Sequence, residues 1–253
     1  MRPISSIFKV VLGLYLVSPV AVQAASDPGV QPPQAAVASA HPAATAAGRE
    51  ILEAGGNAFD AAIAIAAALA VVEPYSSGIG GGGFFLLHRA ADGRDTMVDA
   101  REKAPLAATH DMYLDEDGGF VRERSLNGPL AAGIPGTPAG LVYLADHYGR
   151  LDLSQNLGPA IRLASEGFEV KARYHRMANF RKHAMAEYPS TASIFLGDDG
   201  VVDLGEIIKQ PDLENTLRLL GEHGRAGFYA GDIGKRLVAG VRAHGGIWNR
   251  QDL

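Results

Sequence analysis

Residues 58–72, AFDAAIAIAAALAVV, are apolar on every face of a helix. A helix of that kind is buried all round, and its alanines allow neighbours to approach closely. Asn57 can cap it, Asp60 falls favourably in its first turn, and Pro74 ends it. Upstream, Ser39-Ala40-His41-Pro42 reads as a helix entry, with Ser39 a possible cap and Pro42 suited to the first turn. That helix runs through Ile51 and Leu52 and stops at Gly55-Gly56.

After a glycine-rich link at 78–83, residues 84–89 read as a strand, Asp92-Gly93 as a turn and residues 96–100 as the returning strand. The hairpin delivers Arg101 at the end of its second strand. Helical periodicity returns at 138–148, 156–165, 174–187, 211–221 and 232–244, and residues 115–119 and 198–200 are polar turns. There is no internal repeat and no clear domain boundary. The pattern is α+β, with early hairpin strands among many helices.

The first 24 residues do not fit this pattern. Arg2 and Lys9 form a positive head, residues 10–22 an apolar run broken by Ser18 and Pro19, and Val22-Gln23-Ala24 a cleavage signature before Ala25. Residues 1–24 therefore read as a signal peptide, which implies a periplasmic or secreted protein without membrane attachment after cleavage. The alternative is an uncleaved anchor, but a span needs about 20 apolar residues. Residues 57–72 are also short, and they carry Asp60. Residues 25–34 are small, polar and Pro-rich, a flexible leader, and ordered structure is expected over 35–253.

Composition narrows the chemistry. The 253 residues are 47% apolar, enough for one large core or two small ones. A net charge of −5, with no Lys/Arg cluster standing out, argues against a nucleic-acid partner. The absence of cysteine excludes disulfides, thiolate metal sites and a cysteine nucleophile. None of the eight histidines has metal-site spacing, and His41 beside Pro42 reads as a packing or capping residue. No cofactor is expected. The polar turn at 115–119 lacks the alternating ligands and distal Glu of a calcium loop.

Gly78, Gly80 and Gly83 match G-x-G-x-x-G, but a helix precedes the motif and a strand follows it. A pyrophosphate would find no helix N-terminus there, so the glycines read as a tight backbone crossing. The run from Gly133 to Pro138, GIPGTP, reads as a fixed turn. Arg101 sits in Asp99-Ala100-Arg101-Glu102. It can present a planar fork to a carboxylate, or it can pair with Asp99 or Glu102. Spacing leaves both readings open and favours the local ion pair.

Taken in order, several runs resemble the γ-glutamyltransferase (glutathione hydrolase) family. They are His41-Pro42 with Gly55-Gly56-Asn57-Ala58-Phe59-Asp60-Ala61-Ala62, Ser77-Gly78-Ile79-Gly80-Gly81-Gly82-Gly83-Phe84, and Asp99-Ala100-Arg101-Glu102-Lys103-Ala104-Pro105. Pro135-Gly136-Thr137-Pro138-Ala139-Gly140, Gln210-Pro211-Asp212-Leu213, Phe228-Tyr229-Ala230-Gly231 and Gly245-Gly246 with Asp252-Leu253 complete the series. Asn249 departs from it, standing where the family often has Thr after the double glycine.

The resemblance implies an N-terminal-nucleophile hydrolase, an αββα sandwich made as a precursor that cuts itself into large and small subunits. The new N-terminal Thr of the small subunit is the nucleophile and its amine the base. The γ-glutamyl group of glutathione passes to water, an amino acid or a peptide. The matching residue for the donor's α-carboxylate is Arg101, which shifts the balance toward a binding role. The nucleophile's position lies beyond Leu253, and Thr137, Thr191 and Thr216 do not match it, so no catalytic residue is expected in this chain. The sandwich is expected to be incomplete, with the helix at 58–72 and the hairpin short of cover. Alternatives are a glutaryl-type β-lactam acylase of the same family, or a non-catalytic binding protein made of this half alone.

Overall fold

The computed structural model describes residues 35–198 and 200–253. The expected signal and leader, 1–34, lie outside the described residues, as does Asp199 of the turn at 198–200. Helix α1 (Pro42–Glu53) begins at the anticipated proline, but its cap is His41, whose Nδ1 accepts the Ala43 N–H at 3.1 Å. Ser39 does not cap, because its hydroxyl is engaged by the His41 carbonyl at 2.9 Å and by Thr45 Oγ1 at 2.8 Å. Helix α2 (Ala58–Val72) opens with a capping box, in which Asn57 Oδ1 accepts from Asp60 N and Asp60 Oδ2 accepts from Asn57 N.

Strands β1 (Gly83–Arg89) and β2 (Arg94–Ala100) form the expected antiparallel hairpin, with Gly83 opposite Ala100 and Leu86 opposite Met97. Two-residue alternation turns Leu87 and Ala100 into the core. The other face leaves Phe84, Leu86 and Met97 open, at 56%, 81% and 63% exposure.

The remaining elements are α3 (Arg122–Leu126), α4 (Thr137–Tyr148), α5 (Leu153–Glu166), β3 (Phe168–Glu169), α6 (Ala172–Ala186) and α7 (Pro189–Phe195). They are followed by β4 (Leu196–Gly197), β5 (Gly200–Val201), β6 (Ile207–Ile208), α8 (Pro211–His223), α9 (Arg225–Tyr229) and α10 (Gly231–Ala243). Strand β3 pairs with β6, and β4 with β5. Among the described residues no sheet is wider than two strands. The fold is α+β, and these residues do not by themselves build the two stacked sheets of a full sandwich.

One expectation is overturned. Helix α2 does not lack cover, because α1, α4 and α5 pack on it and Ile63, Ala64, Ala67, Ala68 and Val71 have no exposure. Its alanines permit that approach. The outer face of the hairpin is uncovered apolar surface, as are single side chains elsewhere such as Phe180 and Leu106. A second correction concerns charge. Lys171 precedes α6, and Arg173, Arg176, Arg181 and Lys182 lie along it without an intervening acid. Asp198, Asp203 and Glu206 share a hollow with Lys182, so part of this basic stretch faces acids of the same chain.

Asp60 ties the helices together from a fully buried position. Besides its cap bond, it accepts from Arg150 N at 2.9 Å and from Asn156 Nδ2 at 2.8 Å. Asn57 Nδ2 donates to the Tyr148 carbonyl at 2.7 Å. The start of α2 is thereby fixed to the α4–α5 connection. Buried Gln210 does similar work for α8, donating through Nε2 to the Val71 carbonyl at 2.8 Å.

Candidate functional site

Arg101 emerges from the end of β2 into a segment gripped from two sides. On one side is the glycine-rich link. A Cβ on Gly82 would overlap the Glu102 nitrogen and stand 2.5 Å from Arg101 Cα and 2.6 Å from the Ala100 oxygen. On the other side is the turn before α4, where a Cβ on Gly136 would overlap the carbonyl oxygens of both Ala100 and Arg101. The tight crossing read at Gly78, Gly80 and Gly83 falls instead on Gly82, since a Cβ at Gly80 or Gly83 would meet nothing within 4 Å and one at Gly78 only the Gly80 nitrogen at 3.9 Å. Only glycine lets three backbones pass this closely.

Hydrogen bonds hold the grip closed. The Gly81 carbonyl accepts from Gly136 N at 2.9 Å, Thr137 N at 3.0 Å and Thr137 Oγ1 at 3.2 Å. It thus serves the first amides of α4, a helix with no side-chain cap at its Gly136 N-cap. Lys103 and Ile134 exchange a pair of backbone bonds at 3.1 and 2.7 Å. Ile134 packs with Trp248 and Val238 in a small second core, and Trp248 Nε1 donates to the Ala132 carbonyl.

The Arg101 side chain is 53% exposed, with Nη2 2.7 Å from Glu102 Oε1 and Cζ 5.8 Å from the Phe84 ring centre. Its backbone N–H donates to Asp99 Oδ1 at 3.0 Å. The two local carboxylates weighed against a binding role are therefore both in use, Asp99 on the backbone and Glu102 on the guanidinium. The Glu102 contact engages one nitrogen of the fork, and Arg101 lines a cleft of about 610 Å³. Arg101, Asp99, Asp146, Arg225 and Tyr229 line that cleft.

Sequence alone does not mark Tyr229 as a site residue, although its run Phe228-Tyr229-Ala230-Gly231 carries part of the family resemblance. Its hydroxyl donates to the Pro135 carbonyl at 2.8 Å and accepts from Ala139 N at 3.1 Å. Burial pushes its phenol above the usual range, so it stays a donor at neutral pH. The Arg225 guanidinium lies 4.8 Å from the centre of its ring. Two of the threonines have committed hydroxyls, Thr137 on the Gly81 carbonyl and Thr216 on the Asp212 carbonyl. Asn249 Oδ1 accepts from Gln251 N at 2.7 Å, a local turn bond of the sort a Thr also makes.

The frame is α+β, and it presents the Arg101 fork at a strand end, beside a glycine crossing and at the edge of a cleft. The solved neighbours place the fold with the N-terminal-nucleophile hydrolases. The γ-glutamyltranspeptidase of Helicobacter pylori superposes with a TM-score of 0.84 at 38% identity, over 88% of this chain and 64% of that one. The cephalosporin acylase of Bacillus halodurans superposes with a TM-score of 0.74 at 28% identity, over 90% of this chain and 45% of that one. The family model for gamma-glutamyltranspeptidase matches residues 44–253, and the chain belongs to that family. A glutathione hydrolase proenzyme of Pseudomonas sp. (strain A14) is 42% identical over 237 residues, which is 92% of this chain and 40% of that protein. The chain thus spans about two fifths of the length of the curated relatives it matches.

Proposed function

We propose that this chain is the large-subunit portion of a glutathione hydrolase/γ-glutamyltransferase precursor, in which Arg101 holds the α-carboxylate of the γ-glutamyl donor. The observation that carries this reading is the clamp. The backbone at Arg101 is closely packed against Gly82 and Gly136 while its half-exposed side chain lines an open cleft. A surface ion pair needs no such fixing, whereas a fork that must meet a planar carboxylate does. In this proposal the nucleophile is an N-terminal Thr supplied beyond residue 253, freed when the zymogen cleaves itself. The small subunit so formed is the partner of this chain. The γ-glutamyl group of glutathione is passed to water, an amino acid or a peptide.

The protein is proposed to reach the periplasm or the medium through the signal at 1–24, giving a mature N-terminus at Ala25. N-terminal sequencing checks this, and a retained Met1 in the membrane fraction contradicts it.

The function is tested on the precursor expressed from its complete reading frame. It should split into two chains and release p-nitroaniline from γ-glutamyl-p-nitroanilide. The likeness to the cephalosporin acylase supports a second reading, a glutaryl-type β-lactam acylase. Turnover of a glutaryl donor with none of the γ-glutamyl donor would establish that reading instead. An unsplit, inactive chain that binds γ-glutamyl compounds would point to a non-catalytic binding protein.

A further inference from the structure

Tyr229 lies far from Arg101 in sequence and does not bond to it, yet the two share one mechanical path. The hydroxyl bridges both ends of the turn that carries Gly136, donating to Pro135 O and accepting from Ala139 N. The first amides of α4 depend on outside acceptors. Thr137 N goes to Gly81 O, Pro138 has no N–H, and Ala139 N goes to the tyrosine. Gly136, between the bridged residues, runs so close to the carbonyls of Ala100 and Arg101 that a Cβ there would overlap both.

The tyrosine is itself held. Its residue is 8% exposed. A Cβ on Gly227 would overlap the Leu219 carbonyl, so α9 lies hard against α8. A Cβ on Gly234 would overlap the Tyr229 carbonyl from the following helix. With its proton and an acceptor site already engaged, the hydroxyl serves the turn.

We propose that Tyr229 is a positioning residue for substrate, fixing the height of the Arg101 fork through the Pro135–Ala139 turn. Removing the hydroxyl leaves Pro135 O and Ala139 N without their partner beside an open cleft. The turn then relaxes toward water, and Gly136 no longer bears on the arginine's backbone. The inference rests on Arg101 being the donor's carboxylate clamp.

The test is a double-mutant cycle on the complete, self-split enzyme, reading KM and kcat for γ-glutamyl-p-nitroanilide. Tyr229→Phe keeps the ring and its packing, and splitting into two chains together with an unchanged far-UV spectrum confirms that the variant folds. It should raise KM roughly three- to tenfold, the net worth of about one hydrogen bond, with kcat changed less than about twofold. In an Arg101→Ala background the same substitution should alter KM by less than about twofold, since the clamp it positions is gone. A donor whose α-carboxylate is an amide should be equally insensitive.

Equal effects of Tyr229→Phe in both backgrounds would overturn the positioning role while leaving Arg101's own role intact. If Arg101→Ala itself leaves KM unchanged, the clamp reading fails, and this inference falls with it.

Discussion

Arg101 Nη2 lies 2.7 Å from Glu102 Oε1, and the arginine is about half exposed. Such a pair contributes about 1 kcal/mol or less. If the arginine existed for this contact, breaking it from either side would have the same small effect. The clamp reading separates the two. Glu102→Gln should change donor KM less than about fivefold, whereas Arg101→Ala should lower kcat/KM by about one to two decades, the worth of a charge-assisted bond of roughly 1.5–3 kcal/mol. Arg101→Lys should recover only part of the loss, because an ammonium cannot make the bidentate contact. Self-splitting should persist in all three. Steady-state kinetics with gel analysis of the two chains checks this, and matching phenotypes for the Glu102 and Arg101 variants would return the arginine to a local ion pair.

The crossing at Gly82 and Gly136 should tolerate no side chain. Alanine at either position meets backbone atoms, which cannot rotate away as a side-chain tip can. Each substitution should destabilise by about 2 kcal/mol or more, in the manner of an overpacked core, and should impair donor binding even where folding survives. Gly80, whose added Cβ meets nothing within 4 Å, is the control. Its φ is not in the left-handed region, so its alanine variant should unfold within about 1 kcal/mol of the parent. Urea unfolding of the three variants reports the contrast.

Much of this fold was readable from the pattern because its long helices and its hairpin are local objects. Asn57, Asp60 and Pro74 bracket α2 within the chain itself, and Asp92-Gly93 closes β1 on β2. The short elements α3, α7 and α9 and the two-residue strands were not readable, since their pairing partners are set by tertiary packing. Phe168 finds Ile208 forty positions further along the chain. The start of α5 was placed three residues late because Asp152 and Gln155, whose side chain accepts the Asp152 N–H, lie ahead of its apolar periodicity. At the site, Arg101 stood out by charge and by family resemblance. Tyr229 did not, because a phenol that satisfies two backbone groups on a distant turn leaves no spacing in the sequence. The approach of Gly136 to Arg101 was equally invisible, although both glycine runs were marked as constrained.

Asp60 should be among the most costly polar residues to remove. Asp60→Ala would leave the amides of Asn57 and Arg150 and the Asn156 side chain without their shared acceptor in a fully buried place. The expected loss is about 2–4 kcal/mol, from unsatisfied buried donors and a broken helix cap. Chemical denaturation should show a lowered midpoint, and a variant within about 0.5 kcal/mol of the parent would contradict the network's importance.

Residues 25–253 expressed alone should neither split nor turn over donor, since covalent transfer needs an activated nucleophile and the described threonine hydroxyls at 137 and 216 are bound to backbone carbonyls. The segment should also bind hydrophobic dye. The hairpin's outer face, where Phe84, Leu86 and Met97 stand open together, should contribute to that binding, and α2, which the chain covers itself, should not. Replacing Leu86 and Met97 with Thr should reduce dye binding without unfolding the hairpin. Purified segment that hydrolyses γ-glutamyl-p-nitroanilide would refute the placement of the nucleophile outside it.

The cap of α1 should titrate. His41 accepts the Ala43 N–H through Nδ1, which requires that nitrogen to be unprotonated. Burial lowers the His41 pKa below its usual value near 6.5, with Glu73 opposing the shift and Lys171 adding to it. A folded-state pKa below the unfolded one means that stability is gained above about pH 6.5 and lost as the pH falls through the folded value. At about pH 8 the cap should contribute about 1 kcal/mol relative to His41→Ala. Toward about pH 5 the advantage should shrink as the ring protonates and must give up the amide. His41→Asn supplies an acceptor oxygen that does not titrate in this range, so it should hold its margin over alanine at both pH values. Denaturation midpoints of the parent, Ala and Asn proteins across this range decide the matter. Parallel curves for the parent and His41→Ala would show that the histidine ring is not the working cap.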